Sequence, residues 1–416
     1  MEASPVIIGS GFGDEGKGLI TDFESRRLSA SVVVRFNGGA QAGHTVQEPS
    51  GSRHVFGHIG SGSFSGADTY LSSHFILNPL ALQKELRELQ PKMTRTPKIF
   101  VHQDAIVSTL YDMALNSLVE LQRGSDRHGS CGLGINETVT RSEANPIGAI
   151  RFKDFRMANS VVSMLVQLEL KLAWIRKSYV PQRLQALGIE EIPEPYKSLF
   201  DRTDFDVMAR ELYQASLMIR ELYELTDFFY DDDGDRCVFE GAQGLSLDED
   251  LGDFPHVTRS LTGLPYAMKA ATELGLKALQ PIYVTRCYST RHGAGRLSNE
   301  GMSFGGNPVD ITNIQNEWQG SIRYAPLDIP RMSEMIERDL ERGKLLSKVL
   351  GVKLEAPTIA LTCLDQIENE VRVITGRRAS LTLPVQKLPK FIEDTLKIKV
   401  SHTSHGPTWK DVKYFE

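Results

Sequence analysis

The feature that most constrains this chain is the segment Gly9 to Gly18, GSGFGDEGKG, set directly behind the apolar run Pro5, Val6, Ile7 and Ile8. A short buried strand feeding a glycine-rich turn that ends in Gly-Lys forms a phosphate cradle. Glycines let backbone N–H groups close around an anion, the following helix presents its positive end, and the lysine reaches a phosphate. Gly11 to Lys17 fits G-x-x-x-x-G-K, but Gly18 stands where an ordinary P-loop carries Ser or Thr for magnesium. The loop also brings two acids, Asp14 and Glu15. A carboxylate among phosphates is repulsive unless it holds a metal or moves a proton, so Asp14 reads as chemistry rather than binding. The plainer alternative is a glycine-rich turn that serves only the fold.

At 416 residues the chain can bury a large core, as one large α/β domain or two smaller ones. Its 41% hydrophobic and 24% charged content is that of a soluble enzyme. A net charge of −6 argues against a nucleic-acid or anionic-membrane partner. No apolar run approaches bilayer-spanning length, and the N-terminus enters a strand without a signal-peptide pattern, so a cytoplasmic location is expected. Cys131, Cys237, Cys287 and Cys363 show no metal spacing and read as reduced thiols.

Six short β-branched or aromatic runs suit a sheet covered on both faces: Pro5–Ile8, Ser31–Phe36, Lys98–Val101, Cys237–Phe239, Gln280–Val284 and Thr358–Leu361. The middle of the chain is helical in pattern. Val161, Leu165, Leu168 and Leu172 share one face, and Phe205, Met208, Leu212, Ala215, Ile219 and Leu222 continue a three-four spacing. Both read as core-facing. The run Asp231, Asp232, Asp233, Gly234, Asp235 lacks calcium-loop spacing and reads as a solvated turn. The expectation is α/β: a single P-loop-like, doubly wound domain over 1–416, with a mostly parallel central sheet and a helical insertion at about 105–235.

Four further glycine-flanked polar clusters adjoin these strands: FNGGAQAGHT (Phe36–Thr45), GSCGLG (Gly129–Gly134), FEGAQG (Phe239–Gly244) and YSTRHGAG (Tyr288–Gly295). Ligands in α/β sheets bind outside the carboxyl ends of strands, where these loops are expected. The first offers Gln41 and His44 within a loop. A histidine there serves either the fold or the chemistry.

Taken in this order, GDEGKG, GG-x-x-AGHT, FEGAQG and YSTR-x-GAG resemble the signatures of the adenylosuccinate synthetase family, over about Pro5 to Pro407. The resemblance implies a ligase that phosphorylates the 6-oxygen of a purine nucleotide and then displaces the phosphate with the amino group of aspartate. Asp14 would take the N1 proton, His44 would donate to the 6-oxygen, and Lys17 would contact phosphate. Magnesium (Mg2+) would be held by Asp14 and the Gly43 carbonyl. Gly13, Glu15, Gly16, Gly18 and Gln41 would line the nucleotide. Gln243, Thr258, Ser130 and Cys131 would hold the monophosphate, and Asp365 and Gly406 the triphosphate's base. Gly320, Ser321 and Arg323 would form the aspartate site. The family also implies a homodimer, and Arg141 is the candidate arginine reaching a neighbouring subunit.

Departures from the family pattern bear on the substrate. Ser321 replaces the first arginine of the family's T-T-G-R-x-R, removing a ribose contact worth roughly 1–3 kcal/mol and leaving Arg323 as the carboxylate clamp. Cys363 replaces the lysine of T-K-L-D, and SHGPTW (Ser404–Trp409) stands for S-T-G-P-D-R. Gln41 replaces an asparagine, and Leu133 the arginine of G-T-T-G-R. These changes resemble the viral branch that acts on dGMP to make succino-2-amino-2′-deoxyadenylate for 2-aminoadenine DNA, with ATP or dATP as donor. Asp14 is intact here, unlike in some of that branch, which keeps an ordinary synthetase using IMP, GTP and L-aspartate open. A nucleotide-binding switch protein is opposed by Gly18 and Cys363, and an inactive paralogue by the retained polar set.

Overall fold

The unbroken apolar stretch behind the glycine loop forms β1 (Ser4–Gly9), all of whose residues are buried. It lies inside an eleven-stranded sheet. The computed structural model describes residues 3–130, 132–146, 148–156, 160–221, 236–308 and 320–416. Cys131, Leu222, the acidic run 231–235 and Glu317–Gln319 therefore lie outside the described residues.

From β1 the chain winds outward on one side of the sheet, through β2 (Val32–Arg35), β5 (Asp68–Leu71) and β6 (Ile99–Val101) to β7 (Ile219–Glu221). The strand β8 (Cys237–Gly244) then inserts between β1 and β2. On the other side lie β9 (Ala278–Arg286), β13 (Thr358–Thr362), β16 (Lys399–Ser404) and β17 (Val412–Tyr414), with β12 (Lys353–Leu354) paired to β9. Pairing along the sheet is parallel except at β16–β17. This is the expected α/β architecture, and each of the six sequence-predicted runs is a strand of the sheet. The carboxyl ends of β1, β2, β8, β9 and β13 face one edge, where the chain reverses direction around β1.

Two smaller sheets stand at that edge. The hairpin β3 (His44–Gln47) and β4 (Arg53–Phe56) follows the first glycine cluster. A four-stranded sheet holds β10 (Tyr288–Arg291), β11 (Arg323–Asp328), β14 (Glu370–Gly376) and β15 (Ala379–Pro384).

Helices Leu110–Arg123, Ile135–Ala144, Val161–Trp174, Val180–Leu187, Tyr196–Asp201 and Phe205–Ser216 precede β7, which returns to the sheet. Two details depart from the sequence reading. Helix Phe205–Ser216 ends before Ile219, which is a buried residue of β7, so the three-four spacing ran past the helix end. Leu165, Leu168 and Leu172 are buried as expected, but Val161, the first residue of its helix, is half exposed. Among the described residues no helix is long and apolar enough to cross a membrane. Cys237, Cys287 and Cys363 are free thiols.

Candidate active site

The glycine loop crosses from β1 to helix α1 (Lys17–Leu28) in a conformation that needs its glycines. Gly13 and Gly16 have φ near +90°, and Asp14 between them has φ +56°. The left-handed region is costly for a side chain, and Asp is among the few that tolerate it. Close approach demands the rest: a Cβ on Gly244 would lie 2.4 Å from the Gly11 carbonyl oxygen. Gly18 now has a physical reason. A Cβ there would meet His44 Cβ and the Thr45 carbonyl, each at 3.0 Å, so the hairpin occupies the room a Ser or Thr would take.

Neighbouring strands clamp the loop. Arg286 Nε donates to the Asp14 carbonyl, Thr290 Oγ1 to the Gly13 carbonyl at 3.2 Å, and Thr362 Oγ1 to the Glu15 carbonyl at 2.8 Å. Glu15 turns inward, where the Gly11 N–H donates to its Oε1 at 2.6 Å. Burial pushes Glu15 up to about 7, against Lys17 and Gly11, which pull it down. Its Oε2 is buried without a partner among the described residues. Lys17 is also buried, which lowers its pKa against the opposing pull of Glu15, Asp14 and Glu240.

His44 is on β3 rather than in a loop, and its Nδ1 lies 2.6 Å from Glu240 Oε1. Glu240 belongs to FEGAQG, which is itself part of β8. Sequence reasoning took the glycines and Gln243 from that motif and missed Glu240. The available signal was an acid inside an apolar strand, which needs partners. The partners are the Ser61 N–H at 3.0 Å, the Ser61 hydroxyl, His44, and Arg35 Nη1 at 3.8 Å. Burial acts to raise Glu240, but Arg35 and His44 outweigh it and take the carboxyl down to about 2. For His44, burial outweighs the pull of Glu240 and takes the imidazolium down to about 4. At neutral pH His44 is therefore neutral, with Nδ1–H donated to Glu240 and Nε2 left to face the cleft.

These groups converge on a cleft of about 700 Å³ at the carboxyl ends of the strands. The cleft brings together Gly13, Asp14, Glu15, Gly16, Lys17, Gly18, Gln41, Gly43, His44, Ser130, Gln243 and Thr258. Both amide atoms of Gln41 and the Oε1 of Gln243 are buried without partners among the described residues. Polar atoms placed that way are costly unless a ligand meets them. Asn37 ties the two clusters together, accepting from the Ala242 N–H at 2.7 Å and donating to its carbonyl at 3.3 Å.

Other sequence-predicted residues sit elsewhere. Asp365 is exposed after β13 and Gly406 follows β16, and neither lines the cleft. Gly320 is at the cleft rim, its carbonyl 3.3 Å from Nε2 of the cleft residue His292, and Ser321 beside it is exposed. Arg323 is engaged within its own subunit, by Glu300 at 2.8 Å and the Gly293 and Gly295 carbonyls at 2.6 and 2.9 Å. Arg141 is fully buried, paired with Asp112 at 2.8 Å and bonded to the Val107 carbonyl, which rules it out as a residue reaching a neighbouring subunit.

Among the described residues no group of three or more His, Cys, Asp or Glu side chains could by itself hold a metal ion. Magnesium bound with phosphates takes one or two protein oxygens and keeps waters. Asp14 and Gly43, both on the cleft, are a donor set of that kind.

Comparison with known proteins agrees with this geometry. The family profile described as adenylosuccinate synthetase matches residues 6–319. The adenylosuccinate synthetase of Limosilactobacillus fermentum is 31% identical over 306 residues, covering 72% of this chain and 65% of the relative. That of Thermoplasma acidophilum is 30% identical over 309 residues, covering 72% and 64%. The matched region thus spans just under two thirds of these relatives. Among solved structures, the fully ligated adenylosuccinate synthetase of Plasmodium falciparum superposes with a TM-score of 0.73 at 17% identity, covering 100% of both chains. The cyanophage S-2L succinoaminodeoxyadenylate synthetase bound to dGMP and dATP gives 0.53 at 14% identity, covering 100% of this chain and 95% of that one. At such identities the superpositions speak for the fold alone. With its glycine loop, its AGHT hairpin and its FEGAQG strand inside the matched span, the chain belongs to the adenylosuccinate synthetase family.

Proposed function

We propose that the protein joins L-aspartate to the 6-position of a purine nucleoside monophosphate at the expense of a nucleoside triphosphate. The observation that carries this reading is the convergence of Asp14, Lys17 and His44 on one cleft beside the unpartnered amides of Gln41 and Gln243. Asp14 removes the N1 proton of the purine, so that the 6-oxygen attacks the γ-phosphate and the nucleoside diphosphate leaves as the bond to its bridging oxygen breaks. Lys17 balances charge on the transferring group. Asp14 and the Gly43 carbonyl would hold magnesium, which would supply charge neutralisation for the phosphates. His44 acts at the 6-oxygen through Nε2. Since Nδ1–H is committed to Glu240, Nε2 donates only once the ring has gained a proton. The negative charge of arriving phosphates favours that gain. The amino group of aspartate then displaces the phosphate.

For the monophosphate and donor, IMP and GTP are the first reading, supported by relatives at 30–31% identity that carry the synthetase name. A second reading, dGMP with ATP or dATP, is favoured by Ser321 and by Cys363, which stand where the family has an arginine and a lysine. The protein acts as a homodimer in the cytoplasm on either reading. The test is turnover of IMP or dGMP, each with GTP or ATP, with aspartate and magnesium, following phosphate and the succinylated product. Product from IMP with GTP alone supports the first reading and product from dGMP with ATP the second. No product from any pair overturns both.

A further inference from the structure

One acid of the cleft has no part in that chemistry. Glu120 lies in the last turn of helix Leu110–Arg123, is 1% exposed, and lines the cleft. A carboxylate there sits at the negative end of the helix dipole and is buried, so both terms oppose it. It is held by three donors. The main-chain N–H groups of Gly129 and Ser130 both donate to Oε2, at 3.0 and 3.3 Å, and Arg123 Nη1 donates to Oε1 at 2.6 Å. Two successive N–H groups turned on one oxygen, next to a guanidinium, are the donor set of a phosphate nest. The backbone is committed to that shape: Gly129 has φ +80°, and a Cβ there would lie 2.7 Å from Gly293 Cα. His128 adds an imidazole on the cleft wall.

We infer that the Glu120 carboxylate is a resident stand-in for phosphate, filling the Gly129–Ser130 nest until the phosphate monoester of the nucleotide displaces it. This rests on the proposed function for the identity of the ligand, but the nest itself is an anion site under any reading. A dianion offers more charge and more oxygens than one carboxylate, so it wins the N–H groups, and Arg123 transfers to it. Glu120 then acts as a specificity-determining residue: it sets a competing charge that weakens binding of the monophosphate and hastens release of the product.

The test is calorimetric titration of inorganic phosphate into the full-length wild type and Glu120→Gln. The amide keeps the side chain's size and one acceptor oxygen while removing the competing charge. Phosphate should bind the variant about tenfold more tightly, and the KM for the monophosphate should fall by a similar factor with the triphosphate KM unchanged. Unchanged or weaker phosphate binding in a variant with the wild-type unfolding midpoint overturns the inference. If Glu120→Gln unfolds, Glu120→Asp, which withdraws the carboxylate by one methylene, should also tighten phosphate binding; its failure to do so overturns the inference equally. The titration needs no turnover, so loss of the proposed activity and loss of this inference are read separately.

Discussion

His44 and Glu240, 196 residues apart in sequence, meet at 2.6 Å beneath the candidate phosphoryl-transfer site. The contact fixes which imidazole nitrogen carries the proton, and therefore which one faces a ligand. It also joins the hairpin after β2 to the strand β8, so the position of the ring is set by the sheet. Glu240→Gln can keep the Ser61 N–H on its amide oxygen, while its NH2 then faces His44 Nδ1 and reverses the tautomer. Turnover should fall by about 10²-fold or more while nucleotide binding stays within a few-fold. A variant whose KM rises and whose kcat holds would assign Glu240 to binding instead.

Asp14 sits at φ +56° with its carboxyl on the cleft, between two glycines that shape the loop around it. Asp14→Asn preserves size and removes the base. Turnover should drop by about 10²–10⁴-fold with triphosphate binding largely retained. Near-normal turnover would show that another group takes the proton.

Glu15 gives a pH signature in stability. Its pKa is raised by burial to about 7, against an unfolded value near 4.5. The folded protein therefore holds the proton that the unfolded chain has lost, and this contribution falls as pH rises from about 4.5 through 7. Asp339, also raised by burial to about 7, adds with the same sign, whereas His44, lowered to about 4, acts in the opposite sense. Comparison with Glu15→Gln isolates the first. The stability of the variant relative to wild type should increase by about 3 kcal/mol between pH 4.5 and pH 8, measured by urea unfolding. A pH-independent difference would mean that Glu15 is ionised throughout.

Ser321 is exposed beside the rim contact of Gly320 with His292. Ser321→Arg restores the charge that the family pattern has there and should raise use of ribonucleotides relative to deoxynucleotides by several-fold, about 1 kcal/mol in kcat/KM. An unchanged ratio would show that position 321 does not meet the sugar.

Much of this was legible in the sequence, for physical reasons. Strands buried on both faces are written as continuous apolar runs, and all six such runs are in the sheet. The glycine clusters marked the carboxyl ends because only glycine admits such close approach, as at Gly244 against Gly11. What escaped were relationships that depend on tertiary neighbours. Spacing alone could not tell that Ile219 leaves its helix for β7, since a buried strand residue and a buried helix residue look alike. Glu240, an acid within an apolar strand, signals a need for partners without saying which, and Arg35, its buried counter-charge, carries no local pattern. Glu120 could not be connected to the Gly129 turn without the fold.

The most direct measurement follows the oxygen. A purine monophosphate labelled with ¹⁸O at the 6-position should be incubated with the protein, triphosphate, aspartate and magnesium, and the released phosphate examined by mass spectrometry. Attack of the 6-oxygen on the γ-phosphate predicts that the label leaves with inorganic phosphate, one atom per succinylated product. Phosphate without label, or product without phosphate, would contradict phosphoryl transfer to the purine oxygen at this cleft.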